Sequence, residues 1–386
     1  MDIPSSLRRT VSPPPRGAKK QVTLDNEQDP QTLDEAEPSL AAVEAGQAKI
    51  RDHLAYFSEH LRKAGRPIEH SEIRLTIDDF VALYQRNQHP HGHHFVIHQH
   101  NHPIAGTHYD LRLQFSDTST VSWAIPYGLP GNPNSKRQGR MAIETRVHNL
   151  WNNLIESASH ATGSLLIWDT GKYSVLPRRA TLAATDDELS DQTDIAASST
   201  ATGSPENAKL VRAFQTKYIR LRLHGTRLPK NYTVTLRLPS ANDRPKQPRA
   251  PSYKRRRQGP SPNPTRKRSA SSTDSESDID TTTPITLSPE KEAALIRASN
   301  AYTGATNSIG SIHQRHWYLS LDRRNSGFVS SHGTWDRNGG KGFETFYVQG
   351  AEVERSIVTG RTSAEIMSDE GVEGFVARKR WRPVME

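Results

Sequence analysis

Apolar positions along the chain change period several times, and each change marks a predicted element. Ile50, Leu54, Phe57 and Leu61 recur at three- and four-residue spacing ahead of Gly65, which predicts an amphipathic helix with one narrow apolar stripe. A second short helix is predicted over residues 77–85, where Thr76 and Asp79 stand like a capping box. Both helices are expected either to pack on the main domain or to present a partner surface. From Phe95 the period becomes two. HFVIHQH, THYDLRLQF, VSWAIPYG, RMAIETRV and SLLIWDTGKYSVL each read as a strand, separated by Gly, Pro, Asn or Ser. YIRLRLHG and NYTVTLRLP read as a hairpin, with Ile219, Leu221 and Leu223 on one face and Arg220 and Arg222 on the other. HWYLSLDRR and FETFYVQG predict two later strands, and SAEIMSDEGV a short helix. So many short strands predict a mainly β fold, a barrel or sandwich rather than a parallel α/β sheet.

Composition narrows how much of the chain folds. Only 33% of the residues are hydrophobic, and Pro, Ser, Thr and charged residues crowd into a few stretches that cannot bury enough surface to offset the entropy of ordering. Residues 1–38 are expected to be a disordered tail and 39–88 the N-terminal helices. Residues 89–240 with 313–323 form the β domain, interrupted at 181–207 by an acidic Ser/Thr/Ala insertion. Residues 241–312 are a basic and then acidic disordered linker, and 324–386 a C-terminal α+β extension. A net charge of +9 favours a polyanionic partner. Cysteine is absent, which excludes disulfides and thiolate metal sites. No signal-peptide core and no bilayer-length apolar run are present, so a soluble chain with no membrane partner is expected.

Eight of the 17 histidines fall between His89 and His108, and that clustering carries the candidate chemistry. In HPIAGTHYDLRLQF, strand alternation sets His108, Asp110 and Arg112 on one face and Tyr109, Leu111 and Leu113 on the core-facing other. With His102 supplied from the preceding turn, two imidazoles and a carboxylate make a ligand set suited to Mn²⁺, Fe²⁺ or Zn²⁺. Arg112 is then set to grip a phosphate with paired donors. The same spacing also fits an ordinary polar strand face with a salt bridge. His89, His91, His93 and His94 read as an exposed loop that takes up metal incidentally.

FVIHQH and HYDLRLQF, then VSWAIPYGLP, RMAIETRVH and GSLLIWDTGKY, together resemble the 3′-phosphoesterase domain of bacterial DNA ligase D. The hairpin LHGTRLPKNYTVTLRL and the strand HWYLSL continue the resemblance, which covers 90–180, 208–240 and 313–323. It implies a small β-barrel in which the basic linker is an insertion. It also implies manganese as cofactor and removal of a 3′-phosphate or a terminal 3′-ribonucleoside from DNA ends. By position the implied metal ligands are His102, His108 and Asp110, with His148, Arg112 and Arg140 around the scissile phosphate. Counting six back from His108 gives His102, whereas counting five on from Phe95 gives His100, so His100 stands as the alternative ligand. The family's lysine after SWAVP is Tyr127 here, its acidic pair is Arg146-Val147, and its later tyrosine is Asn152 beside Trp151.

Lys254, Arg255, Arg256 and Arg257, with Arg266, Lys267 and Arg268, read as a bipartite nuclear import signal or as a flexible arm gripping DNA phosphates. Three functions compete: a metal-dependent phosphoesterase acting on DNA 3′ ends in repair, a weakened module that only binds such ends, and a nuclear scaffold. Any ligase or polymerase partner would be a separate chain, and the sequence does not give an oligomeric state.

Overall fold

The structure, a computed structural model, describes residues 40–44, 48–68, 73–178, 203–243, 300–337, 339–378 and 381–385. Its centre is a closed antiparallel barrel of eight strands. They are β1 (His94–His102), β2 (Gly106–Gln114), β3 (Ser119–Ile125), β4 (Gly139–Glu144), β7 (Gly163–Val175), β8 (Tyr218–Gly225), β9 (Thr233–Arg237) and β10 (His316–Leu321). They follow the order β1-β2-β3-β4-β10-β9-β8-β7, and β1 also pairs with β7 to close the ring. Two short strands, β5 (His148–Asn149) and β6 (Ser157–Ser159), attach to β3 and β7. Closure removes the open edges that would otherwise invite pairing with other chains. The mainly β barrel expected from the strand pattern is therefore what the chain forms.

Alternation divides the barrel. Phe95, Ile97, Tyr109, Leu111, Leu113, Trp123, Trp168 and Trp317 fill the interior, with Trp123 edge-on to Trp317 at 5.7 Å. The outer face of β1 and β7 carries a second cluster, where Val96, Leu165 and Ile167 meet α2 (His53–Ala64) and α3 (Ile77–Gln85) through Phe57, Leu61, Phe80 and Tyr84. Both helices fall where the apolar spacing predicted, and Thr76 caps α3 by accepting from the Asp79 amide. Trp151 is an anchor for α2, stacked 4.4 Å from His53 and 6.0 Å from Phe57.

β10 enters the barrel between β4 and β9, after a stretch (244–299) that lies outside the described residues. The expected linker ends sooner than 312. Residues 300–312 pack on the barrel, with Ile309 in the core and Ser311 and the Ile312 amide bonded to the buried Glu144 carboxylate. Arg315 and the Trp317 indole bind the same carboxylate, so a single acid ties the far side of the interruption to β4. The acidic insertion also ends sooner than 207, because α4 (Glu206–Gln215) starts there and buries Leu210 and Phe214. FETFYVQG is extended but joins no ladder. Phe343 and Phe346 pack on Tyr232 at the barrel end instead, at 5.7 and 5.6 Å. The C-terminal part also supplies a hairpin, β11 (Val329–Ser331) and β12 (Thr334–Asp336), and α5 (Ser363–Asp369). It is stitched to the barrel by the fully buried Arg361–Glu156 pair at 3.2 Å and by Ile357, whose amide bonds Ile167.

The motifs WDTG and HGTRL form one lock. Asp169, fully buried, accepts from the amides of Thr170, Thr226, Arg227 and Leu228. A Cβ on Gly225 would sit 2.0 Å from the Asp169 carboxylate, which requires glycine there. Asp169→Ala strands four amide donors, two of them fully buried, so chemical denaturation should show a loss of about 2–3 kcal/mol.

His94 is not the exposed loop residue expected. It is fully buried, with Nδ1 2.9 Å from Asn153 Nδ2 and Nε2 2.9 Å from Thr170 Oγ1. Burial, and then the neighbouring His93, push its pKa down to about 3. The unfolded chain takes up this proton near pH 6.5 while the folded one does not, so stability is lost as pH falls below 6.5. This side chain alone should remove about 2 kcal/mol between pH 8 and pH 5, measured by urea unfolding. A His94→Gln variant should show a correspondingly shallower pH dependence.

Candidate metal centre

The β1–β2 hairpin brings the histidines to the carboxylate. Its register pairs His98 with Asp110, His100 with His108 and His102 with Gly106. Side chains at 98, 100 and 102 therefore share the outer face with His108, Asp110 and Arg112, while Ile97, Tyr109 and Leu111 point into the core. Nδ1 of His100 lies 3.5 Å from Oδ2 of Asp110, and Nε2 of His108 lies 3.5 Å from Oδ1.

The opposite edge of each ring fixes its tautomer. His108 Nδ1 is 2.8 Å from the Gly106 carbonyl, and His100 Nε2 is 2.8 Å from the Thr162 carbonyl. A carbonyl only accepts, so both rings donate there, and in its neutral form each turns a lone-pair nitrogen toward Asp110. The donor atoms of these three residues lie within 4.8 Å of one another, and no other such group of His, Asp and Glu gathers among the described residues. Two lone-pair nitrogens and a carboxylate oxygen fit a divalent cation.

Charge and hydrogen bonding agree with that fit. Burial alone would push the Asp110 carboxyl up, but His108, His100 and Arg112 together hold it below its usual range. Burial holds His108 below the ordinary imidazole value, against the pull of Asp110. A carboxylate that stays ionised beside an imidazole held toward its neutral form suits a metal ion. Buried polar atoms without a hydrogen-bond partner collect on this same face: Asp110 Oδ1, both ring nitrogens of His98 and the Ser122 hydroxyl. Such a concentration marks a surface built to satisfy a bound group.

His102 is not one of the trio, although its ring centroid lies 5.3 Å from that of His100 and 6.4 Å from that of His108. Its Nδ1 accepts from the amides of Ile104 and Ala105, so the ring caps the hairpin turn. The ladder continues for two pairs beyond His100 and His108, and counting six residues back from His108 therefore overshoots into the turn. The geometry favours the alternative, His100.

Arg112 lies next along β2, with Nη1 donating to the Asn152 carbonyl at 3.1 Å. Asn152 itself is spent locally, its Oδ1 accepting from the Asn149 amide at 3.0 Å. His148, on β5 opposite Thr120, belongs to the same outer face. Burial lowers its pKa well below the ordinary value, and Arg112 adds to that. Arg140 does not join. It shares the inward side of β4 with Ala142 and Glu144, and its Nη1 donates to the Arg137 carbonyl near Tyr232. The count of eight residues back to it from His148 ignores that β4 turns this position into the barrel. The basic residues at 254–257 and 266–268 lie outside the described residues.

Sequence reasoning passed over two neighbours. His98 is fully buried beside Asp110, and simple alternation with His100 would have found it. Tyr302 comes from beyond the long interruption, and its ring centroid lies 4.7 Å from that of His148. No local pattern foretold it.

Residues 98–236 match the family described as the DNA ligase D 3′-phosphoesterase domain. The resemblance read from the motifs thus holds over that span, and it supports a DNA end-processing function of 3′-phosphoesterase type. No curated protein matches the chain.

If the trio takes an ion, Mn²⁺ at about a hundred times its dissociation constant should raise the melting temperature by about 5–10 °C. His108→Ala should abolish that rise, read by calorimetry with and without metal.

Proposed function

We propose that the chain is a metal-dependent phosphoesterase that removes a 3′-phosphate or a terminal 3′-ribonucleoside from DNA in repair. The observation that carries this reading is the convergence of His100, His108 and Asp110 beside Arg112 and His148 on one outer face of the barrel. The family match over 98–236 supports the reaction class.

His100, His108 and Asp110 hold the divalent ion, for which manganese is the family's choice. When bound, it neutralises phosphate charge and polarises the phosphorus centre. The remaining work belongs to side chains. Arg112, oriented by its bond to the Asn152 carbonyl, grips a non-bridging phosphate oxygen. His148, held toward its neutral form by burial, would donate a ring N–H to the phosphate. The hydrogen bonds to the Gly106 and Thr162 carbonyls keep both ligand rings aimed, so little rearrangement is needed when substrate arrives.

The partner in this reading is a DNA 3′ end. The basic residues 254–257 and 266–268 would add salt-sensitive affinity for DNA phosphates and serve as a nuclear import signal. The changes at Tyr127, Arg146 and Asn152 keep a second reading in play, a module that binds the end without cleaving it.

One assay separates them. Full-length protein with Mn²⁺ is given a primer–template bearing a 3′-phosphate, and released phosphate is followed. Wild type should release it, and Asp110→Ala should be slower by about 10²-fold or more. A wild type that binds metal and DNA yet releases nothing would support the binding module instead.

A further inference from the structure

Beside His148, away from Asp110, the outer face ends in an aromatic ring that the proposed chemistry does not use. Tyr302 is 44% exposed, an unusual state for a large side chain next to so buried a site. Its ring centroid is 4.7 Å from that of His148, and the Arg146 guanidinium lies over it at 5.7 Å. The ring is fixed in position by its backbone. The Tyr302 amide donates to the Val147 carbonyl at 2.9 Å, and Ala301 bridges to Val147. The Asn149 side chain holds the Thr303 carbonyl at 3.0 Å, and the Thr306 amide binds the Ser119 hydroxyl at 2.9 Å. Gly304, at φ +90°, makes the turn, and a Cβ there would come 2.9 Å from Asn149 Oδ1.

We infer that Tyr302 and Arg146 form the seat for the 3′-terminal nucleotide: the tyrosine ring stacks its base, and the guanidinium meets the neighbouring backbone phosphate. The inference rests on reading the adjoining site as one that takes a DNA 3′ end. An exposed aromatic on a rigid turn loses little entropy when a base stacks on it, and stacking tolerates any base because every base has a π face. A cation beside the ring adds attraction for the phosphodiester and makes binding depend on salt. Val147 bonds residues 300–302 while His148 pairs with β3, so Tyr302 lies on the edge of β5 opposite the strands that carry the trio, with Arg146 over its ring. A phosphate between Arg112 and His148 would therefore leave the attached nucleoside reaching toward Tyr302. The segment that follows residue 299 thus contributes to substrate binding as well as leading into β10.

The test uses full-length protein and a labelled single-stranded oligonucleotide with a 3′-hydroxyl, which cannot be turned over as a phosphomonoester. It ends either in a normal nucleotide or in an abasic one, and binding is read by fluorescence anisotropy in Ca²⁺. Wild type should prefer the base-bearing end by about ten-fold. Tyr302→Ala should lose that preference while keeping the wild-type melting temperature, and Tyr302→Phe should keep it. Arg146→Ala should flatten the dependence of log affinity on log salt by about one contact. A wild type that binds both ends equally, or a Tyr302→Ala variant that still prefers the base, would overturn the stacking seat and leave the metal site standing. A wild type that binds neither end would overturn both readings together. A purely structural role for Tyr302 would lower stability without altering the difference between base-bearing and abasic ends.

Discussion

The antiparallel register between β1 and β2 governs the site, because a slip of one residue would send the whole histidine row into the core. With His98 opposite Asp110 and His100 opposite His108, four hydrophilic side chains meet on the outer face while Ile97, Tyr109 and Leu111 pack inside. Those inward residues hold the register. Moving them outward would cost several buried side chains at about 1.5–3 kcal/mol each, far more than any rearrangement of the polar face would return. A metal centre at this trio would therefore need no large structure of its own. It is the polar side of a strand pair whose apolar side is the barrel core.

The rest of the chain determines how much of that face stays open. Helices α2 and α3 and the Ile357–Val358 segment cover the outer side of β1 and β7. Asp110 and Arg112 fall outside that cluster yet are buried, and the 300–312 turn packs beside His148. Burial holds His108 toward its neutral form, while the charges around Asp110 keep it ionised. Packing and site chemistry are thus coupled: the same elements that stabilise the barrel hold the protonation states a cation requires.

Much of this was legible in the sequence because it depended on local periods. Alternation correctly divided Tyr109, Leu111 and Leu113 from His108, Asp110 and Arg112, and helical spacing located α2 and α3. What the sequence left ambiguous or missed depended on contacts between distant segments. Whether His100 or His102 faces Asp110 turns on how far the hairpin ladder runs, which no single strand encodes. Arg140 matched by count but belongs to the inward face of β4, a fact decided by its pairing with β10. Tyr302 reaches His148 only because 300–312 folds back along 147–149. FETFYVQG has strand composition, yet its aromatic rings bury on Tyr232 without a ladder.

The central claim is that His100, His108 and Asp110 are the ligands of one divalent ion. Pulsed electron paramagnetic resonance of the Mn²⁺-loaded protein counts the imidazole nitrogens bound to the metal. Two should appear in the wild type and in His102→Ala, and one in His100→Ala. Two nitrogens retained in His100→Ala, with one lost in His102→Ala, would contradict the account.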